Sequence, residues 1–421
     1  MSLMPLNENM SAGVIARFLK SQGVDRIFAL CGGHIMPIWM RVDAEGIQIV
    51  DVRDERAAVY MAHAHSELTG KLGVALVTAG PGVTNAMTGI ANAHVARASI
   101  LVLSGLPPRQ QENRGALQDI VHTDLVQSIT RYARTVRQSS LVLQELDEAV
   151  SRARGVGGEP GPVYLDFPTD VLRDEVPKVI QMEEHFRPKV LRPILPHMDD
   201  VTAAIEVLLS AKKPLVISGR GARGAHKELC EFLDKLGGAY LDTGESKGLV
   251  PDSHPAVVAA MRGKVMGDAD VIVTVGRRLD FQLAYGSPSV FGSAKFVRIG
   301  DIPTEVRDNR RGDIEINANP AKTLEAINGL IGDRKSSADR EWIKALREKH
   351  EERAQRLSES MATAPSDAEG RIHPNRVLAE LQKHIGEDGV VVADGGDFLA
   401  FARVGLNAKN YLDPGSLGCI G

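Results

Sequence analysis

Short apolar strands alternate with amphipathic helices along most of this chain, and this alternation limits the folds available to it. The first third contains the strand patterns DRIFAL, IQIVDV, KLGVALV and SILVLSG, separated by helical patterns such as SAGVIARFLKSQG and PGVTNAMTGIANAHVA. A second series contains the strand patterns PLVIS, AYLDT, ADVIVTVG and AKFVRIGD. Strands and helices that alternate at this spacing form parallel sheets covered by helices on both faces. We therefore predict an α/β protein made of successive doubly wound parallel-sheet domains.

The length of 421 residues is typical of two or three domains. Proline-rich or charged stretches without clear periodicity separate the α/β series. The third series has about fifty residues up to Gly421, which is too short for an independent α/β domain, so we predict that this domain is incomplete here. The predicted divisions are an expression scar at 1–3, a first domain at 4–168, a linker at 169–196, a second domain at 197–332, a charged helix and linker at 333–371, and the start of a third domain at 372–421.

Composition and charge disfavour several classes of protein. A net charge of −4 gives no electrostatic reason to expect nucleic acid as a partner. No apolar run approaches the ~18 residues that a membrane span needs, and the N-terminus has no signal-peptide pattern. The three cysteines, Cys31, Cys230 and Cys419, are far apart and have no metal-binding spacing. We therefore predict a cytoplasmic protein that acts on a small molecule, with neither a membrane nor nucleic acid as partner.

An acidic residue stands between a buried strand and a helix in the stretch IVDVRDERAAVYMA. Here Glu55 follows the strand that ends near Val52 and precedes the helix that starts near Ala57. Open parallel sheets bind ligands at this end of their strands. A carboxylate held there among apolar side chains is poorly solvated, which suits a proton carrier. The alternative is an ordinary acid at a helix start, favoured by the helix dipole like its neighbour Asp54.

The segment GRGARG at 219–224 matches the GxGxxG pattern of dinucleotide-binding proteins. It follows the strand pattern PLVIS and precedes a helix, and Asp242 lies at about the offset expected for a ribose-binding acid. Glycines at such a turn let the backbone approach a phosphate at a helix N-terminus. The pattern supports an NAD(P)-dependent dehydrogenase as one alternative function. The other interpretation is a tight turn in a structural domain.

Three further glycine turns follow predicted strands, in CGGH at 31–34, TAGPGVTN at 78–85 and DGGD at 394–397. Four turns of one kind are more than one ligand needs, so some of them must serve packing. We expect His122 and Asp124 to form a surface pair. The chain contains no GxSxG, Walker or paired CxxC motif, which disfavours hydrolase, NTPase and zinc-site functions.

The order of these turns resembles that of the thiamine-diphosphate enzymes of the acetolactate synthase family. The matching stretches cover essentially the whole chain: FALCGGHIMPIW, VRDERAAVYMA, VTAGPGVTNAMTGIANA, NRGALQD, VGRRLDFQLAYG, RIGDIPTEV, ADGGDF and LGCIG. The CGGHI and NRGALQ segments are most similar to the branch that includes 2-hydroxyacyl-CoA lyases. The resemblance implies a pyrimidine-binding domain at 4–168, a Rossmann-like central domain at 197–332 and the start of a diphosphate-binding domain at 372–421.

The resemblance implies an enzyme that makes or breaks a carbon–carbon bond next to a carbonyl, in a 2-keto acid or a 2-hydroxyacyl-CoA. Thiamine diphosphate is the cofactor that it implies, and Glu55 is expected to hydrogen-bond a ring nitrogen of its aminopyrimidine. Gln118 is expected to face the reacting carbon. The other residues that it assigns are Pro81 and Asn85 along the aminopyrimidine, Gly395, Gly396, Asp397 and Ile420 around the rest of the cofactor, and Gly32, Gly33 and His34 at the substrate pocket.

Three positions depart from the family pattern. Cys31 stands where synthases usually carry proline, His34 follows the glycine pair, and Asp119 replaces the glutamate that is common after Gln118. These departures disfavour acetolactate formation as the reaction.

The resemblance also has consequences for metals, nucleotides and subunits. The family's Mg²⁺ motif would lie beyond Gly421, so we expect Mg²⁺ as a cofactor but no metal ligand within this chain. The central domain of relatives binds FAD, an ADP group or nothing, which leaves FAD, ADP or CoA as candidates there. Family members join the first domain of one subunit to the third domain of another, which implies a homodimer or homotetramer with interfacial active sites. The alternative to an enzyme is a truncated, non-catalytic binding or oligomerisation module.

Overall fold

A computed structural model describes residues 7–181, 183–386 and 388–420 of the chain. The predicted expression scar at 1–3 lies outside the described residues, as does Gly421. The chain divides into two compact units. The first comprises the described part of Met1–Val190 with Pro414–Cys419, and the second comprises the described part of Leu191–Asp413 with Ile420.

The first unit contains a six-stranded sheet in which all strand pairs are parallel, with the strand order β2-β1-β3-β4-β6-β5. Its strands are β1 (Arg26–Ala29), β2 (Gln48–Asp51), β3 (Gly73–Val77), β4 (Ile100–Leu106), β5 (Tyr132–Thr135) and β6 (Val163–Pro168). Its helices are α1 (Ser11–Ser21), α2 (Met36–Ala44), α3 (Glu55–Thr69), α4 (Pro81–Ala96), α5 (His122–Val126), α6 (Val142–Ala153), α7 (Thr169–Arg173) and α8 (Glu183–Phe186).

Strand β3 shows why helices cover both faces of this sheet. All five of its residues are buried. Val74 and Leu76 belong to the core that includes residues of α1, α2 and α6, whereas Ala75 and Val77 belong to the core that includes residues of α3 and α4. Successive side chains on a strand point to opposite faces, so a strand without polar residues needs an apolar layer on each side.

The second unit contains a five-stranded parallel sheet in the order β11-β10-β9-β7-β8 and a separate parallel pair, β12 with β13. Its strands are β7 (Pro214–Ser218), β8 (Ala239–Leu241), β9 (Val271–Val275), β10 (Lys295–Gly300), β11 (Ile314–Asn317), β12 (Val390–Val392) and β13 (Asn410–Leu412). Its helices are α9 (Met198–Ser210), α10 (His226–Leu236), α11 (Arg262–Asp268), α12 (Pro288–Phe291), α13 (Pro303–Val306), α14 (Pro320–Ile331), α15 (Arg340–Thr363), α16 (Pro374–Gln382) and α17 (Asp397–Gly405).

The predicted α/β fold with successive parallel sheets is confirmed. Sequence patterns do not reveal β5, because its residues YART have no apolar run and are only partly buried at the sheet edge. Within the stretch expected as a linker, helix α7 carries Val171 and Leu172, whose side chains are fully buried in the first unit.

The chain order of the strands reverses between β1 and β3, since β1 pairs with β2 on its other side. Such a reversal leaves a crevice outside the carboxyl ends of the strands, where α/β proteins bind ligands. The loops that follow β1 and β3, at 30–35 and 78–80, border this crevice. The fold therefore places two of the predicted glycine turns at the expected binding edge of the first sheet.

The glycine pattern at 219–224 lies at the corresponding reversal in the second sheet, between β7 and β9. The amide of Gly221 donates a hydrogen bond of 3.0 Å to the carbonyl oxygen of Gly276, which follows β9. A Cβ atom on Gly221 would lie 2.8 Å from the Cα atom of Gly276, whereas a Cβ atom on Gly224 would meet open space. Contact between two backbone segments therefore accounts for Gly221 without a ligand.

We predict that Gly221→Ala lowers the free energy of unfolding by about 1–3 kcal/mol, because the added methyl group meets backbone atoms that cannot rotate away. The matched control Gly224→Ala should change it by less than about 0.5 kcal/mol. Urea denaturation of both variants measures the difference. Equal effects on stability would contradict the packing explanation.

Candidate active site

Glu55 is the first residue of α3, directly after the loop that leaves β2, and only 7% of its surface is exposed. Its neighbour Asp54 is the N-cap of this helix and accepts a hydrogen bond of 2.8 Å from the amide of Arg56. The two adjacent acids therefore have different environments. Asp54 satisfies the helix end, which leaves the carboxylate of Glu55 available for another partner.

The partner of Glu55 is Asn85 on α4, whose Nδ2 atom donates a hydrogen bond of 3.0 Å to Oε2. Among the described residues, Asn85 alone hydrogen-bonds this carboxylate, and its bond does not use Oε1. A Cβ atom on Gly82 would lie 3.6 Å from Oε1, so the absence of a side chain at this position leaves room beside that oxygen. Glu55 thus presents one oriented carboxylate oxygen at the carboxyl edge of the sheet.

Thr78, directly after β3, is the residue against which Gly32 and Gly82 pack. A Cβ atom on Gly32 would overlap the side chain of Thr78, and one on Gly82 would lie 3.0 Å from its Cγ2 atom. Both positions thus need glycine for close packing. The Oγ1 atom of Thr78 is buried and has no hydrogen-bond partner in the described part of the chain. A Cβ atom built on Gly33, by contrast, would have no other atom within 4 Å. Gly33, which is predicted to border the substrate pocket, therefore stands at an open position.

Gln118 and His34 are brought together beside the same turn. Gln118 has a left-handed backbone (φ 63°), which is uncommon for a residue with a side chain and is typical of strained functional loops. A Cβ atom on Gly80 would lie 2.8 Å from the Cβ atom of Gln118, so glycine is needed for this approach. Burial lowers the pKa of His34, and a side-chain hydrogen bond with Gln118 partly offsets this effect.

The prediction of a surface pair between His122 and Asp124 is wrong for the histidine. His122 is 1% exposed, and its Nδ1 atom lies 3.1 Å from Oδ2 of Asp166, which is fully buried on β6. Its Nε2 atom accepts a hydrogen bond of 2.8 Å from the amide of Gly80. One feature of the sequence could have indicated that His122 is buried. Asp166 lies inside the strand pattern VYLDF, and a buried carboxylate requires a buried partner.

The remaining predicted cofactor residues lie in the second unit. Gly396 has φ 83° and is the N-cap of α17, and Asp397 is in the first turn of that helix. The amide of Gly395 donates a hydrogen bond of 2.8 Å to Oδ1 of Asp394. Ile420 is 73% exposed, and its Cδ1 atom is 3.8 Å from the position of a Cβ atom on Gly396. These four residues thus form a local group of their own around the start of α17.

The first unit therefore gathers Glu55, Asn85, Gln118, Gly32 and His34 along one edge of its sheet. In the described ranges, no group of three His, Cys, Asp or Glu side chains could hold a metal ion. The same ranges contain no helix with the length and apolar character of a membrane span. Together, fold and site define an α/β protein with an oriented, shielded carboxylate at a topological switch point, a common location for cofactor-dependent chemistry.

Comparison with known proteins identifies the family. Residues 11–127 match the family description "Thiamine pyrophosphate enzyme, N-terminal TPP binding domain", and residues 201–327 match "Thiamine pyrophosphate enzyme, central domain". The chain is 30% identical to 2-hydroxyacyl-CoA lyase 2 of Caenorhabditis elegans, over 97% of this chain and 69% of the relative. It is 32% identical to a probable acetolactate synthase of Mycobacterium bovis, over 98% of this chain and 74% of the relative.

The chain belongs to the thiamine-pyrophosphate-dependent enzyme family, as its turn order suggested. The match spans both parallel sheets, and mouse 2-hydroxyacyl-CoA lyase 1 is similar over 97% of this chain at 31% identity. Membership supports an enzyme that uses thiamine diphosphate. It favours this function over the truncated binding module and over the NAD(P)-dependent dehydrogenase that the glycine pattern at 219–224 had suggested.

The pKa of His34 gives a testable pH dependence. Burial holds this pKa below the ordinary value of 6.5, so the unfolded chain takes up the proton first as the pH falls. The stability that this histidine contributes is therefore lost as the pH falls through the range below 6.5. We predict that His34→Gln makes the free energy of unfolding less dependent on pH across this range. Urea titrations at several pH values measure the slope for wild type and variant, and identical slopes would contradict the prediction.

Proposed function

We propose that this protein uses thiamine diphosphate to make or break a carbon–carbon bond next to a carbonyl group, in 2-keto acids or 2-hydroxyacyl-CoA thioesters. The observation that carries the proposal is the environment of Glu55. Its carboxylate is buried at the carboxyl edge of the first sheet, Asn85 occupies Oε2, and Gly82 leaves room beside Oε1. This arrangement fits the edge of an aminopyrimidine ring, which presents both hydrogen-bond donors and acceptors.

Thiamine diphosphate supplies the carbon nucleophile and the electron sink for this chemistry when it is bound. The contribution of the chain is proton transfer and orientation. Glu55 would hold a proton at Oε1 for a ring nitrogen of the cofactor, and Asn85, bonded to Oε2, would keep the carboxylate oriented. Pro81 is exposed at the start of α4, on the same turn as Gly82, where it can border the ring.

Gln118 and His34 are proposed to face the substrate. Their hydrogen bond holds the two side chains together, and burial, which lowers the pKa of His34, favours a neutral imidazole beside the substrate carbonyl. Gly33, where a Cβ atom would meet open space, leaves room on this side. Gly32 is proposed to border the pocket through its backbone, because Thr78 fills its own Cβ position. Gln118 is well suited to direct an amide group at the reacting centre because its left-handed backbone fixes its approach.

The remaining assignments follow from the family. We propose residues 4–168 as the pyrimidine-binding domain, 197–332 as the central domain and 372–421 as part of the diphosphate-binding domain. The group of Gly395, Gly396, Asp397 and Ile420 is proposed to lie near the diphosphate and the bend of the cofactor. Mg²⁺ is the proposed counterion of the diphosphate, and a homodimer or homotetramer is the proposed assembly.

The relatives carry the names of both acetolactate synthases and 2-hydroxyacyl-CoA lyases. Product analysis with a panel of 2-keto acids and 2-hydroxyacyl-CoA thioesters, in the presence of thiamine diphosphate and Mg²⁺, distinguishes these substrate classes. A new carbon–carbon bond between two keto acids would support the synthase reaction. Release of an aldehyde from the thioester would support the lyase reaction, and no turnover of either class would contradict the proposal.

We predict that Glu55→Gln slows exchange of the thiazolium proton of bound thiamine diphosphate by about 10²- to 10⁴-fold, the usual contribution of a positioned acid or base. Rapid-quench exchange in deuterium oxide, read by proton NMR, measures this rate. The matched control is Asp54→Asn, one residue away, which keeps a good N-cap and should retain the wild-type rate. Unchanged exchange in Glu55→Gln would contradict the role of Glu55.

A further inference from the structure

His122 lies at the centre of a buried polar network that the family chemistry does not use. Its side chain and that of Asp166 are both inaccessible to solvent. The Oδ2 atom of Asp166 also accepts a hydrogen bond of 3.0 Å from the hydroxyl of Tyr164. The network therefore runs from β6, through the imidazole, to the amide of Gly80 after β3.

The direction of each hydrogen bond follows from the groups present. A backbone amide can only donate, so Nε2 of His122 must be the unprotonated nitrogen that accepts from Gly80. In the neutral imidazole the proton then resides on Nδ1, which faces the carboxylate of Asp166. Asp166 thereby selects the tautomer that can accept a hydrogen bond from Gly80.

Gly80 is the point where two predicted site loops meet. It has φ 61° and is the N-cap of α4, the helix that carries Pro81 and Asn85, and no side chain caps this helix end. It also packs against Gln118, which stands only four residues before His122. A single imidazole therefore holds the turn before α4 and closes the loop that carries Gln118.

We propose that His122 is a positioning residue, whose Nε2 atom sets the Gly80 turn and thereby fixes the start of α4 and Gln118 relative to each other. For the roles of Gln118 and α4 this inference rests on the proposed function. The alternative is a histidine that only fills and stabilises the interior. A positioning role requires the hydrogen-bond acceptor at Nε2 in addition to the volume of the side chain. A space-filling role requires the volume alone.

Two substitutions separate these explanations. Glutamine places its carbonyl oxygen near the position of Nε2 and keeps an acceptor for Gly80, whereas asparagine places its amide nitrogen near Nδ1 and keeps only the donor toward Asp166. We expect His122→Asn to speed hydrogen exchange of the Gly80 amide in the cofactor-free protein by about tenfold or more. We expect His122→Gln to remain within about threefold of wild type.

Residue-resolved exchange by NMR on glycine-labelled protein measures this amide, and urea denaturation shows whether both variants stay folded. Similar exchange at Gly80 in the two variants would overturn the proposal and support the space-filling role. The exchange of the thiazolium proton is the second readout, with His122→Asn slower than wild type by about tenfold and His122→Gln close to it. Equal rates in the two variants would also overturn it.

The experiment separates this inference from the proposed function. Glu55→Gln does not touch the network, so the Gly80 amide should remain protected in that variant whatever happens to the cofactor. If wild-type protein failed to activate thiamine diphosphate, the proposed function would fall, while the contrast between His122→Asn and His122→Gln at Gly80 would still test the positioning contact.

Discussion

Close contact between backbone segments at the carboxyl edge of the first sheet is the constraint on which the site depends. Gly32 and Gly82 both pack against Thr78, and Gly80 packs against Gln118. Any side chain at these positions would separate the loops that follow β1, β3 and β4. Because these loops lie beside Glu55, the glycines determine how near Gln118 and His34 stand to the carboxylate. Residues that have no functional group therefore shape the candidate site through packing.

The fold could be predicted from the sequence because most strands are short and apolar and alternate with helices, and four of them are followed by glycine turns. The family followed from the order of those turns, since a sequence of motifs along a whole chain is far more specific than any one of them. Within the candidate site, the place of Glu55 between strand and helix left two interpretations open, and the family resemblance favoured the cofactor-binding one. The structure then distinguishes it from Asp54, which caps the same helix.

The sequence could not show contacts between residues far apart in the chain. His122 pairs with Asp166, 44 residues away, and this pairing turns an expected surface residue into a buried one. The spacing of apolar residues shows which side of a helix or strand is apolar, but it does not show which other element packs against that side. Strand β5 was not predicted for a related reason, because an edge strand of mixed polarity has no sequence pattern that distinguishes it from a loop.

The glycine pattern in the second sheet shows how one motif can have two physical causes. Beside it, the guanidinium of Arg277 is buried and forms ion pairs with Glu245 at 3.1 Å and with Asp280 at 2.8 Å. Arg220 shares the carboxylate of Glu245 at 3.5 Å, so a local cluster of ion pairs between arginines and carboxylates lies at this turn. The backbone contact between Gly221 and Gly276 accounts for the conformation of the turn, so the motif alone is no argument for a bound nucleotide.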